Sequence, residues 1–303
     1  MNQCANETEL AHWLINIILL VMVLSISLFL FLKPSKIKQT KQFSISTFNL
    51  SDFDSIKVDF PSRASVIFKK STESWDMVEP IKGRADQFSV QKIISIVATS
   101  SSEKLPSNDL AKYGLDKPTM NLKLIHKGVE EEFIFGTYNS VTEDQYLLYK
   151  DNVYLISGSY SESASTQPIE LIDKSPLSKS EQIKVFDFSR LEQWKSKKLK
   201  VTRNNNEWSA NEGNQLKQSD MAEWFDMTWV KNPAKSVEKF AIDLRIPYKS
   251  FDIHTTDGKK ITFLRVQESP ETQLYRVDEG LLYHFGSDIG FTMLNPPVEH
   301  SNK

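Results

Sequence analysis

Residues 12–32 read HWLINIILLVMVLSISLFLFL, twenty-one positions without an Asp, Glu, Lys or Arg. A helix that is apolar on every side has no face to give to water, so such a run belongs in a deep core or a bilayer. At about 1.5 Å rise per residue it covers the roughly 30 Å hydrocarbon layer of a membrane. Bulky Phe31 and Leu32, then Lys33 and Pro34, stand where a removed signal peptide would carry small residues. The run therefore reads as a retained anchor over residues 12–33, with a flank at 1–11 and a polar, basic stalk at 34–52. Glu7 and Glu9 lie before it, and Lys33, Lys36, Lys38 and Lys41 after it. Flanking charge alone would keep the rest of the chain in the cytoplasm, although long domains are exported regardless of such charges.

The remaining sequence has the balance of a folded protein, with 40% hydrophobic and 25% charged residues over the 303-residue chain. Thirty-seven basic against 39 acidic side chains leave a net charge of −2, too small a field to recruit nucleic acid. Cys4 is the only cysteine, which excludes a disulfide framework and a thiolate metal site.

After the stalk, apolar residues alternate with polar ones: Ile56, Val58 and Phe60, then Val66 and Phe68, then Trp75 and Met77. Period two between turn residues is the mark of antiparallel strands. Asp86 then precedes QFSVQKIISIVA, where Phe88, Ile93, Ile94 and Val97 fall near one helical face and Asp86 can cap the first turn. A second short helical stretch, NDLAKYGLDKP, ends where Gly114 can turn left-handed and Pro118 stops continuation. Strands resume at Met120, Leu122 and Leu124, at Phe133 and Phe135, at Tyr146 and Leu148, and at Val153 and Leu155. SGSYSESASTQ, at 157–167, reads as a loop.

The same order then restarts. Ile183, Val185 and Phe186 open a strand, Leu199 and Val201 another, and Trp208 a third. Asp220, with Glu223 three residues on, has the spacing of a capping box, and Met221, Trp224, Phe225 and Thr228 follow on one face. Pro247 minus Pro118, Tyr275 minus Tyr146 and Tyr283 minus Tyr154 all give 129, while Trp208 minus Trp75 gives 133. The pattern predicts a tandem duplication of α+β class: a first repeat at 53–160, a linker at 161–181, a second repeat at 182–295 and a tail at 296–303. In each repeat a helix covers a mostly antiparallel sheet, and a tryptophan anchors the core.

No catalytic motif accompanies this architecture. His12, His126, His254, His284 and His300 never pair at i, i+4, and HExxH, GxSxG, Walker A and GxGxxG are absent. Ser101 to Lys104 fits SxxK without its companion motifs, and Glu130, Glu131 and Glu132 read as a solvated turn. No cofactor or metal is expected. Arg84 beside a helix start could meet an anion, or could simply lie over the Trp75 strand. Trp229 lies about 140° around an ideal helix from Trp224, which would expose it. With Trp194 it would form an aromatic surface for a partner protein.

The string WDMVEPIKGRADQFSVQKIISIV, then NDLAKYGLDKP, FGTYN and YLISG, resembles the DUF4340 family of bacterial membrane-anchored proteins. Its recurring elements fall here on Trp75, Pro80, Arg84 with Ala85 and Asp86, Tyr113 to Pro118, and Gly136. The likeness covers about 54–158 well, and the second repeat only as an echo, since Gly114 would correspond to Asp243. It implies an inner-membrane protein with a periplasmic body, in a family some of whose members are encoded with ABC-type transport components linked to gliding motility. Family anchors commonly carry a basic residue before the apolar run, and this flank is acidic. The expectation is a single-pass, non-enzymatic binding or scaffold protein with a protein partner in the envelope. The alternatives are an enzyme acting on an envelope polymer, or a cytoplasm-facing tethered adaptor.

Overall fold

The computed structural model describes residues 4–32, 41–72, 74–205, 207–211 and 214–300. Helix α1 runs Cys4–Leu32, and its His12–Phe29 stretch has a mean hydropathy of 2.3, long and apolar enough to cross a membrane. Residues 33–40, the end of the proposed anchor and the start of the proposed stalk, lie outside the described residues.

Residues 42–303 form one compact body. Its first sheet is built from β1 (Ser55–Asp59), β2 (Val66–Ser71), β3 (Ser74–Glu79), β4 (Lys104–Pro106), β5 (Met120–His126), β6 (Val129–Tyr138), β7 (Gln145–Tyr149) and β8 (Asn152–Ile156). Helix α2 (Gln87–Ile94) follows β3, and α3 (Ser159–Ser165) follows β8. The second sheet uses β9 (Ile183–Asp187), β10 (Lys200–Asn204), β11 (Glu207–Ala210), β12 (Ser236–Lys239), β13 (Lys249–Thr255), β14 (Lys260–Gln267), β15 (Glu271–Arg276) and β16 (Leu281–Gly286). Helices α4 (Gln218–Phe225) and α5 (Ser287–Leu294) occupy the matching places in chain order.

The two sheets follow one path. The first is ordered β3-β2-β1-β5-β6-β7-β8-β4, with the two-residue strand Gly83–Arg84 added beside β3; the second is β11-β10-β9-β13-β14-β15-β16-β12. Pairing is antiparallel throughout, as the alternating apolar positions require. Ile56, Val58, Phe68, Met77, Leu122 and Phe133 point into the core of the first sheet, and Phe186, Val201, Phe251, Ile253, Ile261 and Phe263 into that of the second. One continuous apolar cluster contains both sets.

A detail inside each half explains why a tryptophan strand precedes each helix. The Gln87 side chain accepts from the Trp75 amide at 2.8 Å and donates to the Trp75 carbonyl at 3.0 Å. Gln218 does the same to Trp208, at 2.7 and 2.6 Å. Each glutamine acts as one residue of a neighbouring strand and fixes the helix start against the tryptophan strand.

The structure corrects several expectations. The 157–167 loop contains helix α3, in which Ala164 is fully buried and Ser161 nearly so. The 161–181 segment is therefore not a free linker: Ala85 bridges Ile172, and the Asp173 amide donates to the Arg84 carbonyl. It completes the first half as Val298–His300, in the supposed tail, completes the second by pairing with Asn214–Leu216. The proposed stalk is already packed on the body from Phe43, which pairs with Ser101, and Ile45 is buried. Helix α4 starts two residues before Asp220 and is held by Gln218, so no capping box opens there. Phe88 lies 65% exposed because, at about 100° per residue, it falls across the helix from Ile93 and Ile94, which with Val90 make the buried face of α2.

The outer face of the first sheet carries a small second cluster of Tyr113, Leu115 and Val153. Gly114 closes its turn with φ 66°, and Gly136 lets the turn lie flat on β6: a Cβ there would come 2.3 Å from the Tyr113 carbonyl oxygen. Gly136→Ala should therefore cost about 1–3 kcal/mol by forcing the backbones apart, read as a lower midpoint in urea. At the offset of 129 residues, Asp243 falls where the first sheet has Gly114, and Leu244 is 92% exposed where Leu115 is buried.

Candidate functional site

A cleft of about 1020 Å³ opens between the β2–β3 turn, the start of α2 and the segment 173–180. β3 brings Trp75 and Asp76 to one wall; alternation buries the Trp75 ring and turns Asp76 the other way, opposite Arg84 on the neighbouring strand. Asp86 caps α2 by accepting from the Ser89 amide at 2.8 Å, so it is oriented by the helix it starts.

Arg84 forms the floor, and its donors are occupied. Nε donates to Glu279 at 2.7 Å and Nη1 to Asp173 at 2.6 Å; Nη2 donates to the Ser175 carbonyl at 2.6 Å and to the Tyr283 hydroxyl at 3.2 Å. Tyr283 in turn donates to Glu279. Burial disfavours the Arg84 charge, but Glu279, Tyr283 and Asp173 overcome it and raise its pKa. Burial likewise pushes the Tyr283 phenol well up, with Glu279 adding to it. The anion once expected at Arg84 is therefore supplied by the protein's own carboxylates.

A second buried guanidinium lies next to this one. Arg276, 1% exposed, donates to Glu181 and Asp278 and to the Pro176 carbonyl, and its Nη1 lies 3.5 Å from Glu279. Burial alone would raise the Glu181 and Asp278 carboxyls, yet hydrogen bonds from Arg276 and Lys259 hold each at about 2. The result is a ladder of alternating charge from Asp173 to Lys259 that joins the 172–181 segment to the β15–β16 hairpin. Such a ladder is structural: every charge in it is matched.

Asp76 is different. It is half-buried at the cleft wall and, among the described residues, its carboxylate has no hydrogen-bond or ion-pair partner. Burial pushes its pKa above the usual carboxylate range, with Arg84 pulling it back and Glu279 adding to the rise.

The remaining residues singled out from sequence are scattered and internal. Trp229, expected at the surface, is 1% exposed, within 5.1 Å of Phe186 and 6.5 Å of Trp224, ring centre to ring centre. The reason is local: α4 continues into a π turn, Asp226–Val230, and i→i+5 winding sets residue 229 over residue 224 instead of 140° away. Trp194 is also buried, its Nε1 donating to the Leu294 carbonyl at 2.9 Å. Neither ring presents a docking surface, and neither meets Arg84's cleft. Ser101 Oγ is spent on the Leu155 and Glu103 carbonyls at 2.7 Å each, and Glu131 accepts from Tyr149 at 2.6 Å. Among the described residues no group of three or more His, Cys, Asp or Glu side chains is placed to hold a metal ion.

Most of the cleft's wall residues, though not Ser71, Thr72 and Ser74, lie inside one matched segment. A family model described as a domain of unknown function, DUF4340, matches residues 75–224. Residues 75–224 are similar to the DUF4340 family. The DUF4340 match begins at Trp75 and ends at Trp224, so it starts on β3, crosses the 172–181 segment and stops in α4. No curated protein and no solved structure matches the chain. Asp76, Gln87 and Asp173 all fall within the DUF4340 segment, whereas Glu279 and Tyr283, which complete the cleft floor, lie beyond it.

Proposed function

We propose that this DUF4340-like protein is a single-pass membrane-anchored binding or scaffold protein, with an internally duplicated body that acts in the envelope as an accessory to a larger complex or an ABC-type transporter. The observation that carries the reading is a helix of spanning length preceding a body whose buried charges are consumed in holding it together. Arg84, Arg276, Glu181 and Asp278, all strongly perturbed, are matched to one another, which favours binding over proton transfer. Duplication is supported by the repeated strand path and by the glutamine clamp that recurs on Trp75 and Trp208. The family resemblance favours a periplasmic body on a bacterial inner membrane. The second reading, an enzyme acting on an envelope polymer, draws on Asp76, a carboxyl with a raised pKa facing a cleft.

Topology tests the placement. Ser161 is buried and unsuited to labelling, whereas Ser140 sits exposed in the β6–β7 connection. A Cys4→Ser chain carrying Ser140→Cys should react in intact cells with a thiol reagent that crosses only the outer membrane. Protection until lysis would put the body in the cytoplasm and leave a tethered adaptor as the reading. In-cell crosslinking from the same cysteine should then capture a partner at a defined stoichiometry.

A further inference from the structure

Resting on the binding reading above, the geometry points to an uncharged polyhydroxyl ligand, a segment of a saccharide chain, in the cleft between β3, α2 and residues 173–180. The cleft, about 1020 Å³, is roomy enough for a small ligand to lie within it. Its walls carry six hydroxyl side chains, those of Ser71, Thr72, Ser74, Ser175, Ser178 and Ser180, and the amide of Gln91. Hydroxyls and amides both donate and accept, as sugar hydroxyls do, so either partner can adapt to the other. The charges nearly cancel: Asp76, Asp86 and Asp173 against Arg84 and Lys179. Asp173 is bound to Arg84, and Asp86 to the α2 amides, so neither is aimed at a ligand. A cationic peptide would want several open carboxylates, and an anionic ligand would want an open guanidinium; the walls supply neither.

Two side chains remain to hold an occupant. Asp76, without a partner among the described residues, can accept from two hydroxyls of one sugar ring, and a charged acceptor makes the stronger kind of hydrogen bond. Phe88 stands 65% exposed at the rim, with the Lys92 ammonium 4.5 Å from its ring centre on one side. A large apolar ring left in water beside a polar cleft offers a negative π face to the weakly positive C–H edges of a sugar. A carboxylate for the hydroxyls and a ring for the C–H face together suit a saccharide better than a purely polar or purely apolar ligand.

The test uses the purified full chain in detergent, independently of membrane orientation, so a failure here leaves the topology result standing. Saturation-transfer NMR would be recorded with chitotetraose, cellotetraose and maltotetraose, and with tetralysine as the charged comparison. At least one tetrasaccharide should receive saturation, and Asp76→Asn and Phe88→Ala should each weaken its binding about ten-fold, as loss of one charge-assisted hydrogen bond or one stacked ring would. Both positions lie outside the core, so melting temperatures should stay within a few degrees of the parent, separating lost binding from lost folding. No transfer to any of the three sugars, equal transfer in all variants, or Asp76-dependent binding of tetralysine alone would each overturn the proposal.

Discussion

Replacing Trp229 with alanine should lower the unfolding free energy by about 3–5 kcal/mol, the range for removing a large ring from a filled interior. The ring is 1% exposed and lies about equally far from Phe251 and Phe263, 6.0 Å from each by ring centres, on the face where Phe186 and Trp224 also meet. No small side chain can close that space without moving four aromatic neighbours. Its indole nitrogen has no hydrogen-bond partner among the described residues, so Trp229→Phe should retain most of the stability. Denaturation in urea, compared at equal slope, distinguishes the two. A loss below about 1 kcal/mol for the alanine variant would mean that the ring is not part of the core.

Arg276→Met should be comparably costly, about 3–5 kcal/mol, because it strands carboxylates instead of removing a balanced pair. Glu181 would keep Lys259 at 2.8 Å, and Asp278 would keep it at 3.1 Å, but one ammonium would then serve both. The acid response provides a second readout. In the folded protein both carboxyls titrate at about 2, below the roughly 4.3 and 3.9 of free Glu and Asp. A depressed folded pKa contributes stability above the unfolded value and loses it as pH falls through the folded one. The parent melting temperature should therefore drop between about pH 4 and pH 2. In Arg276→Met the same descent should be shallower, since the carboxyls start nearer their free values. Parallel descents would place the acid sensitivity elsewhere.

The strands were legible because each has one face in the core, and period-two alternation survives translation from sequence to sheet. Ile56 and Val58, Phe133 and Phe135, Phe251 and Phe263 all lie where that alternation put them. Equal offsets of 129 residues pointed to a repeated path before any strand order was visible. They are not a register, however. Tyr154 pairs with Leu147 and Tyr283 with Leu274, a spacing of 127 on the partner strand, because the second hairpin turn is longer. Helix faces were read less well. Phe88 is exposed because it sits across α2 from Ile93 and Ile94, and a widened turn buried Trp229.

The candidate site was the least legible part. Arg84 and Asp86 were noticed, but Arg84's partners lie 89, 195 and 199 positions away, at Asp173, Glu279 and Tyr283. No local spacing encodes such a meeting. Asp76 carried no signal either, since an acidic residue on a strand's polar face is ordinary until the cleft beside it is known. The glutamine clamp could have been found: a Gln follows each tryptophan at the helix start, by 12 positions in one half and 10 in the other.

The span of those Arg84 bonds has a consequence for how the chain is made. A ribosome releases the whole of the first sheet and its closing segment about a hundred residues before Glu279 and Tyr283 emerge. Until then the nascent first half holds a guanidinium that has Asp173 but lacks Glu279 and Tyr283, and an apolar cluster open on the side that the second sheet will cover. Synthesis interrupted between α3 and β15 should accordingly yield a product that chaperones and proteases treat as unfinished, even though every strand of its sheet is present.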